Sequence, residues 1–248
     1  MGETKSATAA VIVVGDEVLS GKVEEQNARF LVRELRDLGV AVRRIEVLPD
    51  VREEIAAAVR AATTRYDHVF TAGGIGPTHD DVTIAGIAQA FSVPVVQDEN
   101  MAELIRQVSG DRFHQRDLRM ADVPQGAVLL YGEGACRSRW PVVAVRNVII
   151  LPGIPTILRR QFAAIRELFR AAPFFSRAIY STSGEASIAH ILDQAAAEFA
   201  QLAIGSYPHL DAPDHKVMIT VDGRDRDEVE RACARLLAGL GSAVVRVE

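Results

Sequence analysis

Hydrophobic residues follow two different spacings along the first two-thirds of the chain. Near-continuous apolar runs bounded by turn residues predict buried strands, and apolar residues repeated every three or four positions predict amphipathic helices. Strands are predicted at 8–15, 41–49, 67–73 and 147–153, and helices at 24–39, 51–65, 81–91 and 155–171. This alternation indicates an α/β fold with a parallel sheet covered by helices on both faces, in three layers.

The pattern changes after AAPFFSR at 171–177, which we interpret as a domain boundary. The segments that follow are a strand, a helix, two strands, a helix and a strand, at 178–182, 185–200, 202–208, 215–222, 225–239 and 243–247. This order predicts a small α+β domain of KH-like topology. We therefore expect an α/β domain at 1–172 and a KH-like domain at 173–248. The second has no GxxG loop of the kind that binds RNA, so we expect it to serve packing or oligomerisation.

Composition narrows the classes of partner. The 248 residues carry a formal net charge of −5 without runs of like charge, so neither nucleic acid nor an anionic membrane is an expected partner. Cys136 and Cys233 form no CxxC pair, which suits a reducing compartment. The sequence shows neither a secretion signal at 1–8 nor an apolar run long enough to cross a bilayer. We expect a soluble cytoplasmic protein.

Glycine and acidic residues follow three of the predicted strands. The residues at these strand ends are Gly15, Asp16, Glu17, Gly73, Gly74, Pro152 and Gly153. Ligands of open α/β sheets bind outside the carboxyl ends of the strands. The sequence therefore predicts a single binding edge that all three strand ends share.

One strand end is rich enough in glycine to bind phosphate. The stretch TAGGIGPTHDDVT at 71–83 contains Gly73, Gly74 and Gly76. Glycine lets the backbone approach a phosphate closely, and the N-terminus of the next helix favours an anion. The stretch matches neither the dinucleotide nor the P-loop pattern. A tight turn in which Asp80 or Asp81 caps the helix remains the alternative.

The aspartates of this stretch change the prediction, because they would repel a phosphate. With no lysine in the stretch, a divalent cation between Asp81 and the phosphate would make the arrangement favourable. Asp50 ends the second strand and either joins the same site or caps the helix at 51–65. Asp16 and Glu17 could complete an acidic cluster. We therefore predict Mg²⁺, Mn²⁺ or Co²⁺ bridging to a pyrophosphate.

These motifs resemble the molybdopterin-binding domain family, which includes the MoaB/Mog proteins. The resemblance covers about residues 8–170 and is carried by GDEVLSG (15–21), Asn27, LPD (48–50) and GGIGPTHDDVT (73–83), the last close to the family pattern GGxGxTxxDxT. GGIGPTHDD resembles the amino-terminal half of the CinA proteins. RNVIILPGIPTILRRQF, GEASIAHILDQ and IGSYPH resemble the amino-terminal domain of FAD synthase.

The resemblance implies three activities. The CinA and FAD synthase branches imply metal-dependent hydrolysis of a nucleotide pyrophosphate such as FAD or ADP-ribose. The MoaB/Mog branch implies adenylyl transfer to molybdopterin in molybdenum cofactor biosynthesis, with key aspartates matching Asp50 and Asp81. A non-catalytic module that binds molybdopterin or a flavin nucleotide is the third. Relatives with this fold are generally homo-oligomers, and the ligand would be a nucleotide or pterin.

The residue types and the resemblance together predict the members of the site. Phosphate or substrate is expected at Gly15, Asn27, Gly73, Gly74, Gly76, Thr78, Pro152 and Gly153. The metal is expected at Asp81, Asp50, Asp16 and Glu17, of which Asp50 and Asp81 would be catalytic. The sequence departs from CinA-like proteins at YGEGACRSRWPVV (131–143), where those tend to have a diphosphate-holding Gly-Thr-Ala-Pro-Gly stretch. The identity of the substrate is therefore open.

Overall fold

The structure, a computed structural model, describes residues 7–132, 138–209 and 211–248. The chain divides into two compact units, Met1–Ala171 and Ala172–Glu248. Within the described ranges, no helix has the length and apolar character that crossing a bilayer requires.

The first unit is built on a mostly parallel sheet. Its strands are β1 (Thr8–Val14), β2 (Ala41–Leu48), β3 (His68–Ala72), β4 (Val95–Gln97), β5 (Asp122–Pro124), β6 (Val128–Leu130), β7 (Val142–Val145) and β8 (Val148–Leu151). Six of them form one sheet in the order β2-β1-β3-β8-β7-β6, and β4 pairs with β5 separately. The neighbouring strands β2, β1, β3 and β8 are parallel to one another. The β8–β7 and β7–β6 pairings are antiparallel.

Helices cover both faces of this sheet. They are α1 (Asp16–Leu19), α2 (Asn27–Asp37), α3 (Arg52–Thr63), α4 (Thr83–Phe91), α5 (Glu99–Ser109) and α6 (Pro155–Ile165). The predicted helix at 24–39 begins only at Asn27, because the Glu25 carboxylate accepts hydrogen bonds from the N–H groups of Asn27 and Ala28. The helix predicted to reach residue 171 continues beyond Ile165 as a 3₁₀ turn, Arg166–Phe169.

The apolar run of β1 is explained by burial on two sides. Successive strand residues point to opposite faces, so Ile12 and Val14 enter one core with Ile55 and Ile87 of α3 and α4. Val11 and Val13 enter a second core, whose other members include Leu31 and Leu35 of α2 and Leu158 and Phe162 of α6. The predicted three-layer α/β architecture is confirmed.

The second unit has an antiparallel sheet with its own core. Its elements are β9 (Phe175–Ser181), α7 (Glu185–Glu198), β10 (Ala203–Pro208), β11 (Val217–Gly223), α8 (Arg226–Leu240) and β12 (Val244–Val247). The strands lie in the order β10-β11-β9-β12, and the pairings are antiparallel. Alternate residues such as Ile179 and Ile219 pack with α8 residues such as Leu236. The predicted order of strands and helices is confirmed.

Candidate functional site

The topology of the first unit creates a crevice at the carboxyl ends of its central strands. From β1 the chain passes to β2 on one side, and after α3 it returns to β3 on the other side. Connections that leave a central strand in opposite directions mark the point where ligands bind in open α/β sheets. Gly15 follows β1, Gly73 follows β3 and Gly153 follows β8 by two residues, so the predicted strand ends do share one edge. We call these three residues the glycine rim.

Close backbone packing requires glycine at the centre of this rim. Gly73 has φ +105°, and a Cβ there would lie 2.2 Å from the carbonyl oxygen of Val14. A Cβ on Gly153 would lie 3.3 Å from the Cα of Gly73. The Gly73 N–H donates to the Leu151 carbonyl at 3.1 Å, which continues the sheet ladder into the rim. Glycine is therefore required here by the packing of the strand ends on one another; of the three rim glycines only Gly153 is exposed, whereas Gly15 and Gly73 are buried.

Asn27 fixes the neighbouring backbone of the rim. Its side chain is 7% exposed, and its Nδ2 donates to the Gly153 carbonyl at 2.7 Å. Its Oδ1 has no hydrogen-bond partner among the described residues, and the same is true of the buried hydroxyl of Thr83 at the start of α4. Pro152 is half-buried between β8 and Gly153. Thr83, the last position of the GGxGxTxxDxT pattern, is fully buried beneath Gly74.

Asp81 folds back onto its own loop. Its Oδ1 accepts the Gly76 N–H at 2.6 Å, and its Oδ2 accepts the Thr78 N–H at 2.8 Å and the Thr78 hydroxyl. Val82 is the N-cap of α4 and no side chain caps it, so the interpretation of Asp80 or Asp81 as a helix cap is wrong. The N–H groups of Gly76 and Thr78, predicted to hold phosphate, donate to Asp81 in this structure.

Four carboxylates line one open cleft beside the rim. The cleft has a volume of about 540 Å³ and is lined by Asp16, Glu17, Leu19, Ser20, Lys22, Asp50 and Asp80. We call it the acidic cleft. The structure thus brings together Asp16, Glu17 and Asp50 as predicted, and adds Asp80 rather than Asp81. Lys22, distant from the glycine-rich stretch in sequence, brings a positive charge to the same cleft.

Asp50 is positioned by the backbone of the first strand end. Its Oδ2 accepts the Asp16 N–H at 2.9 Å. The helix that follows has Val51 as its N-cap without a side-chain hydrogen bond, so the alternative role of Asp50 as a helix cap is wrong. The side chain of Asp50 therefore belongs to the acidic cleft.

The electrostatics of the cleft favour a cation. Burial raises the pKa of Asp50, and the nearby carboxylates of Asp16, Glu17 and Asp80 raise it further against the opposing hydrogen bond from Asp16. Carboxylate oxygens are the ligands that Mg²⁺ prefers, and Mg²⁺ typically takes one or two of them with water and substrate phosphates. The described residues contain no preformed group of three or more His, Cys, Asp or Glu for a metal. The cleft thus supplies carboxylates of the type that Mg²⁺ prefers, without a preformed set of ligands among the described residues.

The described histidines near acidic residues lie outside the acidic cleft. The His79 side chain is 97% exposed, with Asp80 at 3.9 Å as a neighbour, so it is solvated. In the second unit, the buried His215 bonds Asp214 through Nδ1 at 2.6 Å and His209 through Nε2 at 2.8 Å, which makes a hydrogen-bonded chain. Residues 133–137 of the divergent YGEGACRSRWPVV stretch lie outside the described residues.

The fold and the site define an α/β protein with an open sheet, of the class that binds ligands at the carboxyl edge of that sheet. The chain belongs to the molybdopterin-binding domain family: the model described as a probable molybdopterin binding domain matches residues 10–171. A second model, the middle domain of FAD synthase, matches residues 173–248. The resemblance drawn from the sequence motifs is confirmed.

Relatives of this chain include a probable FAD synthase and a CinA-like protein. A probable FAD synthase from Caenorhabditis briggsae is 33% identical over 261 residues, covering 94% of this chain and 50% of the relative. A CinA-like protein from Frankia casuarinae is 32% identical over 244 residues, covering 91% of this chain and 56% of the relative. The chain thus spans about half the length of these two relatives. The solved structure of a CinA protein of unknown function from Thermoplasma acidophilum is 31% identical, with a TM-score of 0.58, over 65% of this chain and 98% of that one.

Proposed function

We propose that the first unit is a metal-dependent nucleotide pyrophosphatase, which hydrolyses a dinucleotide such as ADP-ribose or FAD. The observation that carries the proposal is the acidic cleft, in which Asp16, Glu17, Asp50 and Asp80 lie together at the carboxyl ends of the strands. A bare anion would be repelled by these carboxylates, whereas a diphosphate with a divalent cation would be attracted. The name of one relative, probable FAD synthase, agrees with a nucleotide ligand.

The cation, the carboxylates and the glycine rim would have different roles in hydrolysis. When bound, a divalent cation supplies positive charge to the diphosphate and makes a coordinated water more acidic. Asp50, Asp16 and Glu17 would hold that cation. Gly153, the exposed glycine of the rim, would let the diphosphate approach the backbone. Water adds to one phosphorus, the bond from that phosphorus to the bridging oxygen breaks, and the products are AMP and the second monophosphate.

Lys22 would balance the charge of the bound diphosphate. It is the one cation among the described residues that line the cleft, and it lies there with Asp50 and Asp80. A lysine acts as a flexible point charge on phosphate, and it can follow a substrate into an open site. Its position supports a negatively charged ligand in a cleft that is otherwise acidic.

A second candidate function is adenylyl transfer from ATP to molybdopterin. The match of residues 10–171 to the molybdopterin-binding model favours it. The same cleft and rim would serve, because this reaction also breaks a phosphoanhydride and also produces charge that a cation would balance. A module that binds the ligand without turnover is the third candidate.

The test is AMP release from FAD, ADP-ribose and NAD with Mg²⁺, Mn²⁺ or Co²⁺. We expect turnover by the parent and a loss of about 100-fold or more in Asp50→Asn, because a removed carboxylate weakens the hold on the cation. Asp37→Asn is the matched control, since Asp37 is exposed at the end of α2, away from the cleft, and should stay within about twofold of the parent.

Two results would redirect the proposal. Folded protein that releases no AMP from any of the three dinucleotides contradicts the pyrophosphatase. Formation of adenylylated molybdopterin from ATP by the same protein would then support the transferase, and ligand binding without either reaction would support the binding module.

A further inference from the structure

Two histidines of the second unit meet where the hairpin between β10 and β11 leaves the sheet. His215 is 8% exposed, and both of its ring nitrogens have a hydrogen-bond partner. Its Nδ1 lies 2.6 Å from Asp214 Oδ1, and its Nε2 lies 2.8 Å from His209 Nδ1. Beside these rings the backbone is also closed, because the His209 N–H donates to the Lys216 carbonyl at 2.8 Å. We call His209 and His215 the histidine pair.

Asp214 decides which nitrogen of His215 carries a hydrogen. The hydrogen bond from His215 is the main cause that lowers the pKa of Asp214, and the charge of Arg246 lowers it further against a smaller opposing effect of desolvation. Asp214 is therefore ionised at neutral pH, and an ionised carboxylate only accepts hydrogen bonds. Nδ1 of His215 must be the donor in this contact.

Only one hydrogen fits between the two rings of the histidine pair. With both rings neutral, Nε2 of His215 is bare, so Nδ1 of His209 donates to it. One added proton leaves this bond in place, because His209 can bind the proton at its other nitrogen, Nε2. A second added proton turns the bond into two N–H groups that face each other, each on a charged ring. The pair therefore tolerates one added proton but not two.

The charged groups around the pair lead to the same limit. Tyr180 of β9 meets the His215 ring edge to face, with 4.9 Å between the ring centroids. Arg246 of β12 lies over the Tyr180 ring and forms ion pairs with both Asp214 and Glu248. The Glu248 carboxylate also accepts the Tyr180 hydroxyl at 3.0 Å. Two carboxylates and one guanidinium leave a single unbalanced negative charge, which matches one added proton on the pair.

We infer that the histidine pair makes the hairpin between β10 and β11 sensitive to pH. The base of the hairpin stays closed while the pair holds at most one added proton, and it opens when both rings are charged. Histidine is the side chain whose charge ordinarily changes between about pH 5 and 8, so the opening belongs to mildly acidic conditions. The inference concerns the second unit and does not depend on the proposed function of the first.

The first measurement determines the tautomers of the pair. Nuclear magnetic resonance of the full chain with ¹⁵N-labelled histidine, at about pH 9, shows which ring nitrogens carry a hydrogen. We expect a hydrogen on Nδ1 of both His209 and His215, because each ring donates through that nitrogen. Signals are assigned by substitution of single histidines. A hydrogen on His209 Nε2 instead, with both rings neutral, would leave two bare nitrogens facing each other and would overturn the inference.

The second measurement follows amide exchange in the full chain as the pH is lowered. Protection is expressed relative to an unstructured peptide at the same pH. Between about pH 7.5 and 5, the protection of the His209 N–H should fall about tenfold or more, because this amide closes the base of the hairpin. The Lys216 N–H donates to the Ser181 carbonyl inside the sheet, and its protection should change less than about threefold. An equal loss at both amides would mean that the sheet unfolds, which contradicts a local opening.

The variant His209→Asn separates charge from hydrogen bonding. Its amide can donate to a neutral His215 or accept from a charged one, but it takes up no proton. Protection of the amide at position 209 should then change less than about threefold between about pH 7.5 and 5. The matched control is His190→Asn on the exposed side of α7, which should keep the pH dependence of the parent.

Two results with these proteins would reject the inference. One is a loss of protection in His209→Asn as large as that in the parent, and the other is a parent whose His209 amide stays protected at about pH 5. If His209→Asn does not fold, the tautomers and the two amides of the parent still decide the question, because they need no variant in the pair.

Discussion

The ionised form of Asp50 is less stable in the folded protein than in the unfolded chain. Its burial and the carboxylates of Asp16, Glu17 and Asp80 raise its pKa. The folded protein therefore binds a proton at Asp50 more tightly than the unfolded chain does. The stability that this proton contributes is complete below the ordinary aspartate pKa of about 4, and it is lost as the pH rises through the raised value.

The first prediction concerns Asp50→Asn without divalent cations. The variant keeps an oxygen that can accept the Asp16 N–H but removes the repelled charge, so its thermal midpoint at neutral pH should rise by a few degrees. The decrease in stability above about pH 4 should also become shallower than in the parent. Thermal unfolding in EDTA over a series of pH values measures both. A midpoint below that of the parent, with Asp37→Asn unchanged, would show that the carboxylate stabilises the fold.

At the scale of residues, the sequence identifies what the site is made of better than which way each side chain points. Glycine at position 73 follows from the need for close backbone approach, and the acidic residues after β1 and β2 follow from strand ends. Which of Asp80 and Asp81 lines the cleft depends on the backbone dihedral angles of the loop. These angles cannot be read from the local sequence. Lys22 reaches the cleft only through the fold.

At the scale of elements, α3 and α4 pack with their backbones close together. A Cβ on Gly86 of α4 would lie 2.7 Å from Ile55 Cγ2 and 3.2 Å from the Arg52 carbonyl of α3. Ile55 is fully buried, so it has little room to move. The close packing of α3 on α4 therefore requires glycine at position 86, although glycine has a poor helix propensity.

The second prediction is that Gly86→Ala destabilises the protein. Alanine is favoured over glycine in a helix by about 1 kcal/mol, but overpacking of a core typically costs about 1–3 kcal/mol. We expect a net loss of stability in urea unfolding, with an unchanged m-value. A variant more stable than the parent would mean that α4 can shift outward without cost, and would contradict this packing.

The elements that the sequence misses are short. The parallel strands and their helices are predicted because each is long enough to show a period, whereas β4, β5 and β6 have three residues each. Three residues do not establish an alternation. The antiparallel edge of the sheet at β6 and β7 is therefore visible only in the structure. The helix α2 starts later than predicted because the Glu25 carboxylate accepts hydrogen bonds from the N–H groups of Asn27 and Ala28 at its start.

At the scale of the whole molecule, the second unit has a core of its own. Ile179, Ile219 and Leu236 are fully buried and belong to one cluster with other residues of the same unit. A domain with its own core can in principle fold alone, although chains of this size are marginally stable. We propose that the domain boundary lies between Ala171 and Ala172, where the two compact units meet in the sequence.

The third prediction is that residues 172–248 fold in isolation. The circular dichroism spectrum should show both helix and strand, and thermal unfolding should be cooperative. Ile219→Ala should lower the stability of the fragment by about 2–5 kcal/mol, because it opens a cavity in the core. A spectrum typical of an unfolded chain would place the boundary elsewhere.

The central position of β1 has a consequence for protein synthesis. The strand pairs with β2 and β3 on its two sides, and its residues from Ala9 to Val14 are buried on both faces. The helices that pack on its two faces are α2 and α3, and its second strand partner, β3, ends at Ala72, so all of these elements are synthesised long before β8 begins at Val148. Exposed strands in incomplete chains are prone to aggregate. In the growing chain β1 is thus covered early, and β3 is the strand whose second edge waits longest for its partner.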